Sequence, residues 1–534
     1  MKKSLISFLI LTLCFSSISA VNAGVRQDLT RPMQGIRINE GWMPRVSVPV
    51  IMASSDSTNP DKLFFCADVN DEICTKASRI KFIGHLLPCD STTKINCISS
   101  VYAVNESDEK IYGKFVKLVP DSGPRDYASS EKNNIPQGKG QGGIWQIPGV
   151  KHLGGNENYF VTTAFHGWLF KSAGEKITTQ KLNLGRMESV IGPVNEQSGA
   201  YSPQFALDST NPARDGSATG GIGSGTNSSA ADRDKCLVFG VGICEMPQEF
   251  PPNYRFGMSI ILAQKLQGWF HGRIYKPLID ITNDKNGVQT INIEANPVKV
   301  PSIEAMVPTS QISEELRTYL SQDKQFSEGG GYLMPGSSGV DAFDQAMLWI
   351  PLLKDKASTT QSIWTVRTLD FNEGNNVQNC SNKDSQLSGV VTTNSLVYSA
   401  GPPAFNPQTQ TLDYKLISPH FNSDDTEAIG TYDLVLKSEV ARCVYGFSNA
   451  PVQAAISIIG SNGENKVATT VINEKNGWLY LSANGFTYSS PVIKVKLTQA
   501  KNQKFSISCV KGKVTKKITG TKPKCPTGFK LKTN

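Results

Sequence analysis

The chain has 534 residues, 19% of them charged and 39% hydrophobic, with a formal net charge of +8. Beyond the first 23 residues no segment approaches about 18 continuous apolar residues, which excludes a transmembrane helix. The positive charge is localised: residues 1–23 carry +2 and residues 501–534 carry +10, leaving −4 for residues 24–500, so the basic balance describes the end of the chain and not its body.

Residues 1–23 read as a signal peptide. Lys2 and Lys3 form a positive start, Leu5 to Phe15 is apolar apart from Ser7 and Thr12, and Val21 and Ala23 supply small residues before a cut at Gly24. Lipid attachment at Cys14 is disfavoured by the bulky Leu13 before it. The expected location is therefore extracellular or cell-surface associated.

The expected fold is mainly β: two β-sandwich-like regions, a small helical connector, and a short disulfide-closed basic tail. The first region, 24–300, has strand patterns such as Ile98 to Val104 and turn clusters such as Asn283 to Gly287. Within it, 208–235 is rich in Gly and Ser and poor in apolar bulk, so it reads as a flexible loop. The connector, 301–358, holds the best helical periodicity. Ile312, Leu316, Tyr319 and Leu320 share one face over Ser310 to Gln322, with Thr309 or Ser310 as the cap, and Asp341 to Ile350 is a second, shorter helix.

The second region, 359–500, alternates clearly. Ile493, Val495 and Leu497 stand against Lys494 and Lys496, Trp478 and Tyr480 against Leu479 and Leu481, and Ala454, Ile456 and Ile458 share a face. An immunoglobulin domain would place Trp between its cysteines and Tyr two residues before the second. No Trp lies between Cys380 and Cys443, and position 441 is Ala441, so the sandwich reading rests on strand pattern alone.

The tail, 501–534, has ten lysines and no acidic residue. Closed by Cys509–Cys525, it would present Lys511, Lys513, Lys516, Lys517, Lys522 and Lys524 to anionic cell-envelope polymers. Nucleic-acid binding normally adds aromatic stacking, and only Phe505 and Phe529 are near, so envelope is the expected partner. A solvated tail without a partner is the alternative.

Ten cysteines remain after the signal, an even count that reads as five disulfides in an exported chain. Cys66/Cys74, Cys89/Cys97 and Cys236/Cys244 share an eight-residue spacing and are proposed as local bridges, with Cys380–Cys443 and Cys509–Cys525 closing longer loops. Pairing Cys66 with Cys97 and Cys74 with Cys89 is the main alternative, because spacing alone does not fix connectivity.

No catalytic motif is present. Gly336-Ser337-Ser338-Gly339 has the wrong spacing for a nucleophile elbow, and the five histidines never stand at i, i+4. Thr282 to Gly287 lacks the first and last ligands of a calcium loop and reads as a turn. No metal or cofactor is expected. One arrangement repeats: His166-Gly167-Trp168 and Trp269-Phe270-His271-Gly272, followed later by Gly477-Trp478. Flat Trp faces suit sugar rings, so His166, Trp168, Trp269 and His271 form a possible glycan platform, against the alternative that the tryptophans fill a core.

The tail CVKGKVTKKITGTKPKCPTGFK, with the preceding ARCVYGFSNAPVQAAISI and VATTVINEKNGWLYLSANGFTYSSPVIKVKLTQ, resembles the C-terminal module of secreted proteins of planktonic actinobacteria to which no activity is assigned. The likeness covers roughly the last 100 residues and implies export and a surface or secreted role, but no chemistry. The leading expectation is a binding or structural surface protein. An extracellular enzyme acting on polysaccharide is the alternative.

Overall fold

The computed structural model describes residues 32–40, 48–54, 63–123, 125–199, 201–205, 222–226, 236–321, 328–329, 332–333, 340–369, 380, 387–399, 401–446, 452–459, 465–467, 469–488, 492–499, 505–512, 514–520 and 524–531. The expected signal peptide, Lys513, Lys522 and the Gly336–Gly339 loop lie outside the described residues. So does most of 208–235, although Ile222–Thr226 within it pairs antiparallel with Tyr201–Phe205.

The chain is mainly β, with four short α-helices among the described residues. One long sheet organises it. Its strands lie in the order Leu63–Cys66, Val50–Ser54, Arg79–His85, Asn158–Phe170, Asn183–Ser198, Thr359–Thr368, Gly268–Arg273, Leu387–Thr393, Ile429–Lys437, Trp478–Thr487 and Thr469–Lys475. Neighbours are antiparallel except Gly268–Arg273 with Leu387–Thr393.

Successive side chains on a strand point to opposite faces, so register decides what each face carries. On the first face Phe165, Met187, Val366, Phe270, Val390 and Val435 meet at neighbouring positions. They pack against a five-stranded sheet through its Val101, Phe256, Met258, Ile291 and Ile293. Each fully buried side chain of this size contributes roughly 1.5–3 kcal/mol. On the second face Val391, Leu434 and Leu481 pack against a six-stranded sheet through Leu412, Tyr414, Ile456, Ile493 and Val495. The central sheet is thus covered on both faces over that half, and strands there are apolar on both sides.

The helices follow the apolar spacing with shifted starts. Thr309–Gln311 forms a single tight turn, and the α-helix runs Glu314–Ser321, capped by Ser313, whose Oγ accepts the Leu316 N–H at 3.1 Å. The cap is therefore Ser313 and not Thr309 or Ser310, because Pro308 still ends the preceding strand. The second helix spans Val340–Trp349. Ile36, Ile38, Ile303, Leu316, Leu320, Ala346 and Trp349 make a separate core.

The expected boundaries at 300 and 359 do not coincide with breaks in hydrogen bonding. Val298–Pro308 crosses the first and pairs with Met33–Ile38, and Thr359–Thr368 pairs with both Asn183–Ser198 and Gly268–Arg273. Two sequence regions therefore build one sheet.

Candidate functional site

The five disulfides are Cys66–Cys74, Cys89–Cys97, Cys236–Cys244, Cys380–Cys443 and Cys509–Cys525. The first two are separate local bridges; the crossed pairing does not occur. Such a set forms and persists in oxidising compartments. Among the described residues no helix is long and apolar enough to cross a membrane, and no group of three or more His, Cys, Asp or Glu is placed to hold a metal ion.

The His–Gly–Trp clusters fall on the central sheet. His166 and Trp168 lie on Asn158–Phe170, and Trp269 and His271 lie on Gly268–Arg273, all on the second face. Two strands separate the pairs, so they stand roughly 14 Å apart at the ordinary strand spacing. Trp269 is only 5% exposed and sits in the second core, its ring laid over Gly389, where a Cβ would lie 2.3 Å from the ring. His271 is buried and stacked on Tyr398 at 3.7 Å between centroids. Neither has a face free for a sugar ring, which corrects the platform expected of all four residues. Gly477 forms, with Asn476, the two-residue turn joining Thr469–Lys475 to Trp478–Thr487, both residues at positive φ. Trp478 then packs in the first core.

Trp168 is half-buried, and the Arg79 guanidinium covers one of its faces at 3.6 Å from the centroid. The pair belongs to a charged band, which is what the second face carries where the six-stranded sheet ends. Along the register stand Arg79 opposite Phe170, Lys81 opposite Trp168, Arg186 opposite His166, Glu188 opposite Arg367, and Arg367 opposite His271. Arg273 follows, fully buried, with Glu40 as its ion-pair partner at 2.7 Å.

Both histidines are held neutral. Burial, with Lys81, Arg186 and His85 adding repulsion, lowers the His166 pKa to about 3. Burial, with Arg273 and Arg367, puts His271 well below the ordinary imidazole value. Nε2 of each is buried without a hydrogen-bond partner among the described residues. Lys81 is lowered as well, by burial first and then by Arg79 and Arg186. The sequence offered no route to this cluster: Arg79 and Lys81 are about a hundred residues from Arg186, and only strand pairing joins them. The alternation of Arg79 and Lys81 with Ile80 and Phe82 was the one local signal of a strand with a cationic face.

The tail forms a hairpin, Phe505–Lys511 with Val514–Gly520, and Lys530–Leu531 adds a third short strand. Lys511, Lys516, Lys517 and Lys524 are exposed. Lys516 stands opposite Cys509 and Lys517 opposite Ser508, so these lysines project from both faces. Lys516 Nζ lies 5.2 Å from the Phe529 ring centroid.

Comparison of the chain with protein-family models, with curated proteins and with solved structures gave no match.

Proposed function

We propose that this chain is an exported binding or structural protein whose body is a disulfide-braced β scaffold and whose C-terminal hairpin contacts anionic polymers of the cell envelope. The observation that carries the reading is the hairpin itself. Lys511, Lys516, Lys517 and Lys524 are exposed on a segment held by Cys509–Cys525, and residues 501–534 contain no carboxylate side chain to neutralise them. A fixed cluster of like charge attracts polyanions and is screened beyond roughly 8 Å at physiological ionic strength. The signal-like start, the five disulfides and the likeness of the tail to secreted actinobacterial proteins support export.

The test compares the chain with a K511Q/K516Q/K517Q/K524Q variant and with a version ending at Ala500, binding isolated envelopes across a salt series. Binding by the chain alone, released by salt, is the expected result. Equal binding by all three forms removes the tail from the account.

A further inference from the structure

We propose that Arg79, Lys81, His166 and Arg186 form a binding site for an oxyanion group (the carboxylate, sulfate or phosphate of an acidic ligand) seated beside Trp168 on the second face of the central sheet. The site is independent of the lysine tail.

Three cations come from two strands that flank a third. Arg79 and Lys81 project from Arg79–His85 and Arg186 from Asn183–Ser198, with His166 and Trp168 on the strand between. The flanking strands are roughly 10 Å apart, and Lys81 and Arg79 stand two and four residues, roughly 7 and 13 Å, out of line with Arg186 along them, offsets that long cationic side chains span to reach one tetrahedral or trigonal anion. Arg79 is already oriented by its stack on Trp168, and Phe170, 55% exposed, lies 5.9 Å from the same guanidinium. A guanidinium fixed in place presents a planar fork of donors that matches an oxyanion.

The donors are available. Nε of Arg79, Nε of Arg186 and Nε2 of His166 are buried and have no hydrogen-bond partner among the described residues. Neither arginine has an ion pair among them. Glu188, on the same strand as Arg186, stands opposite Arg367. Buried unsatisfied donors are costly unless a ligand supplies the acceptor. His166, kept neutral by burial and by its neighbours, donates one N–H without adding to the repulsion. His85, which adds to the repulsion on His166, has its Nδ1 2.8 Å from the Thr162 hydroxyl.

The experiment titrates the oxidised full chain, histidine-labelled for NMR, with inorganic sulfate, inorganic phosphate and an oligouronate at constant ionic strength. The His166 signal is identified by its loss in H166Q. Saturable movement of that signal is expected, with affinity falling about tenfold to a hundredfold in R186Q and less in R186K. R79Q is expected to weaken binding in the same way and takes the place of R186Q if that variant does not fold. Response to any of the three probes supports the site, and the tightest names the carrier. Anion binding that leaves His166 unmoved, or that R186Q and R79Q retain in full, means the lysine tail alone is responsible and overturns the proposal.

Discussion

Arg273 gives the sharpest test of how the central sheet is held together. Its five N–H donors are all engaged: Nε and Nη2 meet Glu40, Nη1 donates to the Thr393 and Ser395 carbonyls at 3.1 and 2.6 Å, and Nη2 also reaches the Leu396 carbonyl at 3.4 Å. The guanidinium further lies over Tyr398 at 4.4 Å. In R273M the aliphatic stem is kept, while the Glu40 carboxylate is stranded where it is only 9% exposed. Stranding one member of a buried pair costs about 3–5 kcal/mol, and carbonyls that lose a charged donor add to it. The expected loss is therefore at least about 4 kcal/mol, a shift near a thousandfold in the folded-to-unfolded ratio. Guanidinium denaturation followed by tryptophan fluorescence measures it, and E40Q/R273M should recover part of the loss. A cost below about 1 kcal/mol in R273M would refute the claim that this side chain clamps the Thr393–Leu396 turn to the sheet.

Three further outcomes follow from the same geometry. Removing Cys380–Cys443, which spans 63 residues, should cost about 4 kcal/mol, against about 2.5 for any eight-residue bridge, as denaturation of C380A/C443A and C66A/C74A would show. Asp433 is buried, and burial raises its pKa despite hydrogen bonds from Ser482, the Lys276 N–H and Thr392. The folded state then binds the extra proton first, so wild type should gain stability relative to D433N as pH falls from 7 towards 4; parallel curves would count against it. G389A should cost about 1–3 kcal/mol by displacing the Trp269 ring, and a G389A/W269F pair should cost less than the sum, read by thermal unfolding.

Much of the fold was legible because burial imposes a period. Ile493, Val495 and Leu497 are buried while Lys496 is exposed and Lys494 meets Asp413 at 3.7 Å, as a strand with one covered face requires. The Trp478 to Leu481 segment was readable as a strand but not as to its place. Trp478, Leu479 and Leu481 are all buried, because both faces of the sheet are covered there. The helix Ser438–Tyr445, carrying Cys443 and closed by Gly446 at positive φ, went unseen because two turns are too short to show a face. Of the candidate site, His166 and Trp168 were visible as a pair. Arg79, Lys81 and Arg186 were not, since no local pattern says which strands become neighbours. The pairing of Thr359–Thr368 with Asn183–Ser198 is a choice the whole chain makes.

That pairing also sets an order of events during folding. Glu188 finds its neighbour Arg367 only after some 180 further residues have emerged, and the Gly268–Arg273 strand waits for the same partner. Contacts this distant in sequence make folding slow, because a long loop must close before any hydrogen bond is returned. Until Thr359–Thr368 arrives, the Asn183–Ser198 strand presents an open edge along Glu188 to Ile191, the kind of edge that captures strands of other chains. A fragment ending before residue 359 would keep that edge permanently, so shortened versions of this protein should aggregate more readily than the whole chain.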